Sequence, residues 1–248
     1  MRIWDIDPGF LNAQSLLGEH RELHGIHSII SKGKSGYSRH PETLRWVSHL
    51  PALVIRHELL VEEMKLRGFN HYSPLDVIES SIEWPAVFVD QPAAQFKLLQ
   101  GKYIEKKQGR ISLPKNIQEL WASHKYSVMA RDPANCKKIG QLVASGKIYF
   151  DELSEKLVLL MRTSPPPGRL VNAVSHMWGY IADHSQVDPQ KLTSSELLQE
   201  IQEKSQKYNV DYLIRSTALG ELMFWCNSHL GNAVILAQTD LPNGPSFL

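Results

Sequence analysis

The chain has 248 residues, of which 42% are hydrophobic and 21% charged, and its formal net charge is +1. This composition is typical of a globular protein with a real core, and it excludes a histone-like binder held by charge alone. No apolar run reaches the ~18 residues of a membrane span, and Asp5 and Asp7 argue against a signal peptide. Cys136 and Cys226 are far apart in the sequence, which predicts two buried, reduced thiols in a cytoplasmic protein.

The positive charge is concentrated in one segment. Residues 101–147 carry ten Lys or Arg against three Asp or Glu, whereas residues 148–248 carry seven against eleven. A local positive surface of this kind suits a phosphate backbone.

The first thirty residues predict a helix with two unlike faces. Asp7-Pro8 has the pattern of an N-cap followed by proline at the first helical position, and the helix is predicted to run from there to Ile30. At about 100° per residue, one face is apolar and is predicted to be core: Leu16, Leu23, Ile26 and Ile30. A second face is polar: Gln14, Gly18, Arg21, Glu22 and Gly25.

Two glycines on this polar face are notable, because a mid-helix glycine costs about 1 kcal/mol relative to alanine. They indicate that something large comes close to the helix. On periodicity alone, a solvated face with an intrahelical ion pair is the simpler interpretation.

Three histidines, His20, His24 and His27, form a third stripe of the same helix. Histidines at i, i+4 and i+7 could hold zinc. No nearby cysteine or carboxylate completes such a site, so we expect solvated histidines or contacts to a phosphate, and no metal.

The stretch from Ser31 to Pro41 contains two glycines and predicts a loop. Its basic and aromatic side chains are candidate DNA contacts, with Tyr37 available to stack on a base or sugar. A surface loop whose tyrosine packs down is the simpler interpretation. The candidates here and in the next helix are Lys34, Tyr37, Arg39, His40 and Arg45.

The remainder predicts a mainly α-helical protein, because no segment alternates with period two. A second helix begins at Pro41, is interrupted by Pro51, and continues to Arg67, with Gly68 as its C′ residue. Residues 71–100 are predicted to form turns and short helices, and residues 101–114 a basic boundary segment. Further helices are predicted at 114–131, 133–145, 149–163, 168–183, 194–208 and 211–230, followed by an irregular tail over 231–248.

The second half offers its own candidate site residues. Asn172 and His176 lie one turn apart on a predicted helix, and His124 belongs to another polar cluster. A buried, hydrogen-bonded histidine and asparagine between helices is the commoner meaning of such a pattern.

The sequence lacks a glycine-rich phosphate loop, a nucleophile elbow and paired metal carboxylates. The chemistry therefore has to need few groups. Amine catalysis is of this kind, because a neutral amine can attack an electrophilic carbon and form a Schiff base. An α-amino group ordinarily has a pKa of about 7.7–8.0, so a chain terminus is a plausible nucleophile.

Several motifs of the first hundred residues resemble the pyrimidine-dimer DNA glycosylases of the phage endonuclease V type. They are Gly-Glu-His-Arg-Glu-Leu from Gly18 to Leu23, the preceding Gln14, the loop from Gly36 to Pro41, and Leu66-Arg-Gly-Phe-Asn70. The opening Met-Arg-Ile-Trp is similar to the bacterial branch of that family.

The resemblance implies a compact helical enzyme, without metal or cofactor, that acts on UV-damaged duplex DNA. In that family the N-terminal amine attacks the sugar C1′ of the damaged nucleotide, and a glutamate matching Glu22 assists. The base is released, and β-elimination of the imine nicks the strand. Residues matching Arg2, Gln14 and Arg21 contact DNA, which is bent and opened for access.

Two departures from the phage pattern are informative. A gap-free alignment on Arg21-Glu22 places Met1 where the phage enzyme has a threonine amine, and the bulky Arg2 predicts that Met1 is retained as the nucleophile. Ser15 and Gly25 replace a histidine and an arginine, which predicts a different affinity or lesion preference.

The second half, about residues 112–230, resembles the YbgA-type domain of unknown function. The matching elements are His124-Lys-Tyr, Lys138-Ile-Gly-Gln-Leu-Val-Ala and the stretch from Asn172 to Tyr180. Relatives of that domain occur alone or fused to thiouracil-desulfurising enzymes, which points to nucleic-acid or nucleobase metabolism.

Together these observations predict a glycosylase domain over residues 1–105 and a second all-helical domain over residues 112–230. The predicted activity is excision of cyclobutane pyrimidine dimers with AP-lyase cleavage, carried by Met1 and Glu22. Two alternatives stay open: a non-catalytic DNA- or RNA-binding module, and a lyase or glycosylase for another damaged base.

Overall fold

The computed structural model describes residues 1–76 and 81–227, and it is built of helices. The predicted tail over 231–248 lies outside these residues. No strand occurs in the described ranges, which confirms the mainly α-helical class. Within these ranges the eleven α-helices are α1 (Ala13–Lys32), α2 (Pro41–Trp46), α3 (Leu50–Leu66), α4 (Pro92–Lys102), α5 (Ile117–Met129), α6 (Pro133–Ala144), α7 (Phe150–Met161), α8 (Pro167–Trp178), α9 (Ser194–Lys207), α10 (Asp211–Ile214) and α11 (Ala218–Asn227).

None of the helices in the described part of the chain is long and apolar enough to cross a membrane. Both cysteines are buried free thiols, as the sequence predicted.

The predicted start of the first helix at Asp7 is wrong. The Asp7 carboxylate does accept the backbone N–H of Gly9 at 2.7 Å, but it caps only a 3₁₀ turn, Pro8–Phe10. The helix itself starts after Asn12, whose side chain accepts the N–H of Ser15 at 2.9 Å. The stronger cap therefore lies five residues later than predicted, where its side chain meets a free N–H of the first turn.

The predicted helix start at Pro41 and the role of Gly68 are confirmed, but Pro51 does not interrupt the helix, because α2 already ends at Trp46 and the break covers residues 47–49. Pro41 begins α2 and Pro51 lies in the first turn of α3. Gly68 has φ +76°, the left-handed conformation that favours glycine after a helix.

The basic segment after α4 docks into the protein, rather than forming a loose boundary. A Cβ on Gly109 would come within 2.5 Å of the Gly9 carbonyl oxygen, so only glycine fits there. Arg110 next to it forms a buried ion pair with Glu63, Nη2 to Oε2 2.7 Å, and donates to the Ser216 carbonyl at 3.0 Å. This cation joins the two halves and is not part of a positive surface.

Helices α5, α6, α7 and α9 fall within the predicted segments, and α8 begins at Pro167, one residue before its segment, but the single helix predicted over 211–230 is broken. The chain leaves the helix between α10 and α11, where the backbone N–H and hydroxyl of Thr217 both donate to the Ser123 carbonyl, at 2.9 and 3.0 Å. These bonds to α5 replace the ones that a continuous helix would make, which is a tertiary effect.

Two hydrophobic clusters form the core, and both draw on the two halves of the chain. The first runs in sequence from Ile3 to Val158, and the second from Ile55 to Cys226. The division into domains at residues 105–112 therefore stays a prediction.

Candidate functional site

The first five residues fold back along α1 and are held by backbone hydrogen bonds to side chains. The N–H of Arg2 donates to Glu22, and the N–H of Trp4 donates to Glu19 Oε1 at 3.2 Å. The N–H of Asp5 donates to Gln95 Oε1 of α4 at 2.8 Å. These three anchors fix the start of the chain against α1 and α4.

A buried ion pair supports this arrangement from below. Arg56 of α3 makes a bidentate contact to Glu19, at 2.8 and 3.0 Å, and also donates to the Ile6 carbonyl at 2.9 Å. Burial raises the pKa of Glu19 to about 7, against the opposing effect of Arg56. A paired carboxylate at this depth is expensive to disturb, so it holds the N-terminal segment rigidly.

The amine of Met1 faces Glu22. The Met1 nitrogen lies 3.7 Å from Glu22 Oε2, while the Met1 side chain is only 10% exposed and that of Glu22 is 36% exposed. The Met1 sulfur accepts a contact from the Thr43 hydroxyl at 3.4 Å. The side chain is thus packed inward, and amine and carboxylate are left together where solvent reaches the carboxylate.

A surface cavity of about 290 Å³ opens beside this pair. Gln14, Gly18 and Glu22, from the polar face that the sequence singled out, line it. A Cβ on Gly18 or Gly25 would meet nothing within 4 Å, so that face of α1 is open. The lining residues are Arg2, Trp4, Gln14, Ser15, Gly18, Glu19, Glu22, Leu98 and Lys102.

Arg2 lines the cavity with a half-exposed guanidinium. It lies over the Trp4 ring, 5.0 Å from the centroid, and pairs with Asp90. This cation is positioned in advance, but an anionic ligand has to compete with Asp90 for it.

The other predicted DNA contacts lie at the surface, with two exceptions. Arg21 is exposed on α1 beside Glu22, outside the lining of the cavity, and Lys34, Tyr37 and Arg39 are exposed on the loop after α1. Tyr37 is 67% exposed, so the interpretation as a packed-down tyrosine is wrong.

Arg45 and His40 serve the fold instead. The Arg45 side chain is 2% exposed and pairs with Asp5 at 2.8 Å and with Glu42 at 2.9 Å. Because both partners are buried with it, Arg45 offers no contact to a phosphate and is removed from the set. His40 caps α2, its Nδ1 accepting the N–H of Glu42 at 3.1 Å.

Sequence reasoning missed the contribution of α4 to the cavity. Leu98 and Lys102 line its far wall, and Lys102 is exposed. Their distance from Glu22 in the sequence leaves no local signal that could have connected them.

The three candidates of the second half are not brought together. His124 is buried, with Nδ1 2.8 Å from the Leu120 carbonyl and its ring stacked on Phe10, and burial lowers the pKa of His124 to about 4. Asn172 and His176 are exposed on α8. For His124 the interpretation as a buried, hydrogen-bonded side chain is confirmed.

The expectation that nothing completes the histidine stripe of α1 is wrong. His20 and His24 turn toward α3 and meet His57, and His71 from the segment after α3 joins them. These four residues, here called the histidine cluster, offer ligand nitrogens that all lie within 4.8 Å of one another. His27 lies outside the cluster, and neither His57 nor His71 has a sequence pattern that links it to α1.

Comparison with known proteins finds family models that match two stretches of the chain. Residues 1–77 match the family model described as pyrimidine dimer DNA glycosylase, and residues 125–210 match a family described as a protein of unknown function (DUF1722). The two resemblances drawn from the sequence are thereby confirmed. No curated protein and no solved structure matches the chain.

Proposed function

We propose that the chain is a DNA repair enzyme that removes pyrimidine dimers from duplex DNA and then cleaves the strand as an AP lyase. The family match over residues 1–77 supports a repair function of the pyrimidine-dimer glycosylase type. The observation that carries the finer proposal is the approach of the Met1 amine to within 3.7 Å of Glu22 Oε2 beside an open cavity.

The proposed reaction needs only groups of the chain itself, together with water. The neutral amine of Met1 attacks the sugar C1′, the C1′–N bond breaks, and the base leaves with the bonding electrons and takes up a proton. Opening of the sugar ring gives the Schiff base, loss of a C2′ proton expels the 3′ phosphate by β-elimination, and water then releases the amine.

Glu22 is proposed to assist both before and after the amine attacks C1′. At 3.7 Å the carboxylate can take a proton from the amine through one bridging water, or directly once the contact tightens on substrate binding, and it can then stabilise the positive charge that develops on the sugar. Because Glu22 is partly exposed, a sugar bound in the cavity can contact its carboxylate.

The surrounding side chains are proposed to hold the damaged duplex. Arg2 and Lys102 offer cations at the cavity, and Arg21, Lys34 and Arg39 are exposed cations on α1 and on the loop after it. Gln14 supplies an amide at the cavity wall, and Tyr37 an exposed ring that can stack on a base or sugar. The open positions of Gly18 and Gly25 leave room for the backbone of a bent duplex.

The test compares three labelled duplexes: UV-irradiated, undamaged, and one with a single abasic site. The proposal predicts strand cleavage of the irradiated and abasic duplexes, and none of the undamaged one. Cleavage of abasic DNA alone would instead support a lyase or a glycosylase for another base. Salt-sensitive binding of every duplex without cleavage would support the non-catalytic binding module.

A further inference from the structure

The histidine cluster lies on the side of α1 that faces away from Glu22. His20 and His24 each differ from Glu22 by two positions, about 200° around a helix. His57 projects from α3 and is fully buried, and His71 follows α3. Three separate stretches of the chain thus direct imidazoles to one point.

Two of the nitrogen–nitrogen distances are close to those in a metal coordination shell. Nε2 of His57 lies 3.1 Å from Nε2 of His20 and 3.2 Å from Nε2 of His24. In a tetrahedral zinc site with Zn–N bonds of about 2.0–2.1 Å, two ligand nitrogens are about 3.3–3.4 Å apart. All four ligand nitrogens fit within 4.8 Å of one another.

Hydrogen bonding within the cluster leaves nitrogens without partners. Nδ1 of His57 lies 2.8 Å from Glu58 Oε1, and a carboxylate needs a donor, so Nδ1 carries the proton and Nε2 of a neutral ring presents a lone pair. Two further Nε2 atoms crowd that lone pair. Nε2 of His71 is buried and has no hydrogen-bond partner.

The contact between His57 and Glu58 has the arrangement found behind metal ligands. A ligating histidine commonly donates its other ring N–H to a carboxylate, which fixes the tautomer and orients the ring. The adjacent positions of the two residues on α3 build this pair locally.

Electrostatics acts in the same direction. Burial, together with the neighbouring imidazoles, lowers the pKa of His20 to about 4 and lowers the pKa of His24 and of His71. A lowered pKa favours the neutral form of these three rings, which is the form that binds a metal.

We propose that His20, His24, His57 and His71 bind one zinc ion. Four protein ligands close the coordination shell, which is typical of a structural site. The ion fastens α1, α3 and the segment that carries His71 together, behind the face that holds the Met1 amine. The proposal is independent of the repair function, because it concerns only the stability and metal content of the chain.

The test uses the full chain without an affinity tag, stripped with a chelator. Titration with Co²⁺ is expected to give the visible absorption of a tetrahedral ion at one equivalent per chain, and Zn²⁺ is expected to displace it. Zinc at about 100 times its Kd is expected to raise the midpoint of thermal unfolding by about 5–10 °C.

Variants separate this site from adventitious binding. His24→Ala and His71→Ala are each expected to weaken zinc binding by at least about 100-fold, because even groups behind the ligands contribute about 10–100-fold. Glu58→Gln is expected to weaken it by about that smaller factor. His27→Ala is the matched control, on the same stripe of α1 and outside the cluster, and is expected to bind like the parent chain.

Three results would overturn the proposal. They are a Co²⁺ spectrum without the tetrahedral bands in the unmodified chain, less than one zinc per chain at saturation, and equal zinc affinity in His71→Ala and His27→Ala. The first two use the parent chain, so they hold even if a variant fails to fold.

Discussion

The two polar faces of α1 carry similar chemistry in the sequence and opposite environments in the structure. The Glu22 face borders an open cavity, and the chain's own N-terminal segment covers part of it. The His20 face turns inward to His57 of α3. Titratable groups on the first face border an open cavity, whereas the imidazoles on the second face meet one another and His57 of α3.

The largest effect on the rate of strand cleavage is expected from Glu22→Gln, which removes the carboxylate of the first face. Loss of a carboxylate that moves protons typically lowers the rate by about 10²–10⁴-fold, and the amide keeps the size of the side chain. The measurement is single-turnover cleavage of irradiated duplex. Glu155→Gln, on the exposed side of α7, is the control and should keep the parent rate.

The buried ion pair between Arg56 and Glu19 is expected to matter mainly for the stability of the fold. Arg56→Met leaves Glu19 buried without its partner and is expected to lower the free energy of unfolding by about 3–5 kcal/mol. The measurement is urea unfolding. Arg215→Met breaks an exposed pair with Asp211 and should cost at most about 1 kcal/mol. Equal losses in the two variants would contradict the supporting role of Arg56.

Acid is expected to act on the inward face. The pKa of His20 is lowered from 6.5 to about 4 by burial, so between these values His20 holds fewer protons in the folded chain than in the unfolded one. The contribution of His20 to the free energy of unfolding of the metal-stripped chain should therefore rise with pH across this window and be lost as the pH falls through it. Buried Asp7 and Glu19, whose pKa values are raised to about 7, contribute in the opposite direction.

His20→Gln tests this pH dependence, because it should lower the slope of the free energy of unfolding against pH relative to the parent chain. The exposed His176→Gln should leave the slope unchanged. Buried His124, whose pKa is lowered to about 4, adds the same background to all of these variants. An identical slope of the free energy of unfolding against pH in His20→Gln and the parent chain would contradict a contribution of the histidine cluster to this pH dependence.

The smallest effects are expected at the rim of the cavity. Asp90→Asn releases Arg2 from its ion pair and removes a negative charge, so duplex binding at low salt should tighten by a few-fold. Lys102→Ala should weaken it by a similar factor, and both changes should shrink as salt is added. Tighter binding on loss of Lys102 would place the DNA elsewhere.

Local patterns were sufficient to predict the helices and one face of the site. The proline and glycine signals at Pro41 and Gly68 act within one turn of the chain, so they can be predicted without tertiary contacts. The Gln14 and Glu22 face follows from the 3.6-residue period alone.

The rest depends on contacts that no local pattern encodes. Lys102 lies at the cavity only because α4 packs beside the N-terminal segment. Arg45 cannot contact DNA because its guanidinium is paired with Asp5, forty residues earlier in the sequence. The break before α11 likewise depends on bonds to Ser123. The positions of His57 and His71 beside α1 could not be predicted, because a single histidine on a helix or loop carries no information about its neighbours in space.

The central claim is that the amine of Met1 is the nucleophile of the Glu22 face. Borohydride reduction during reaction with an abasic duplex should leave one covalent protein–DNA adduct, and peptide mapping should place it on the α-amine of Met1. Blocking that amine by reductive methylation before reaction should abolish the adduct. An adduct that maps to a lysine such as Lys102, or that survives a blocked Met1, would contradict the account.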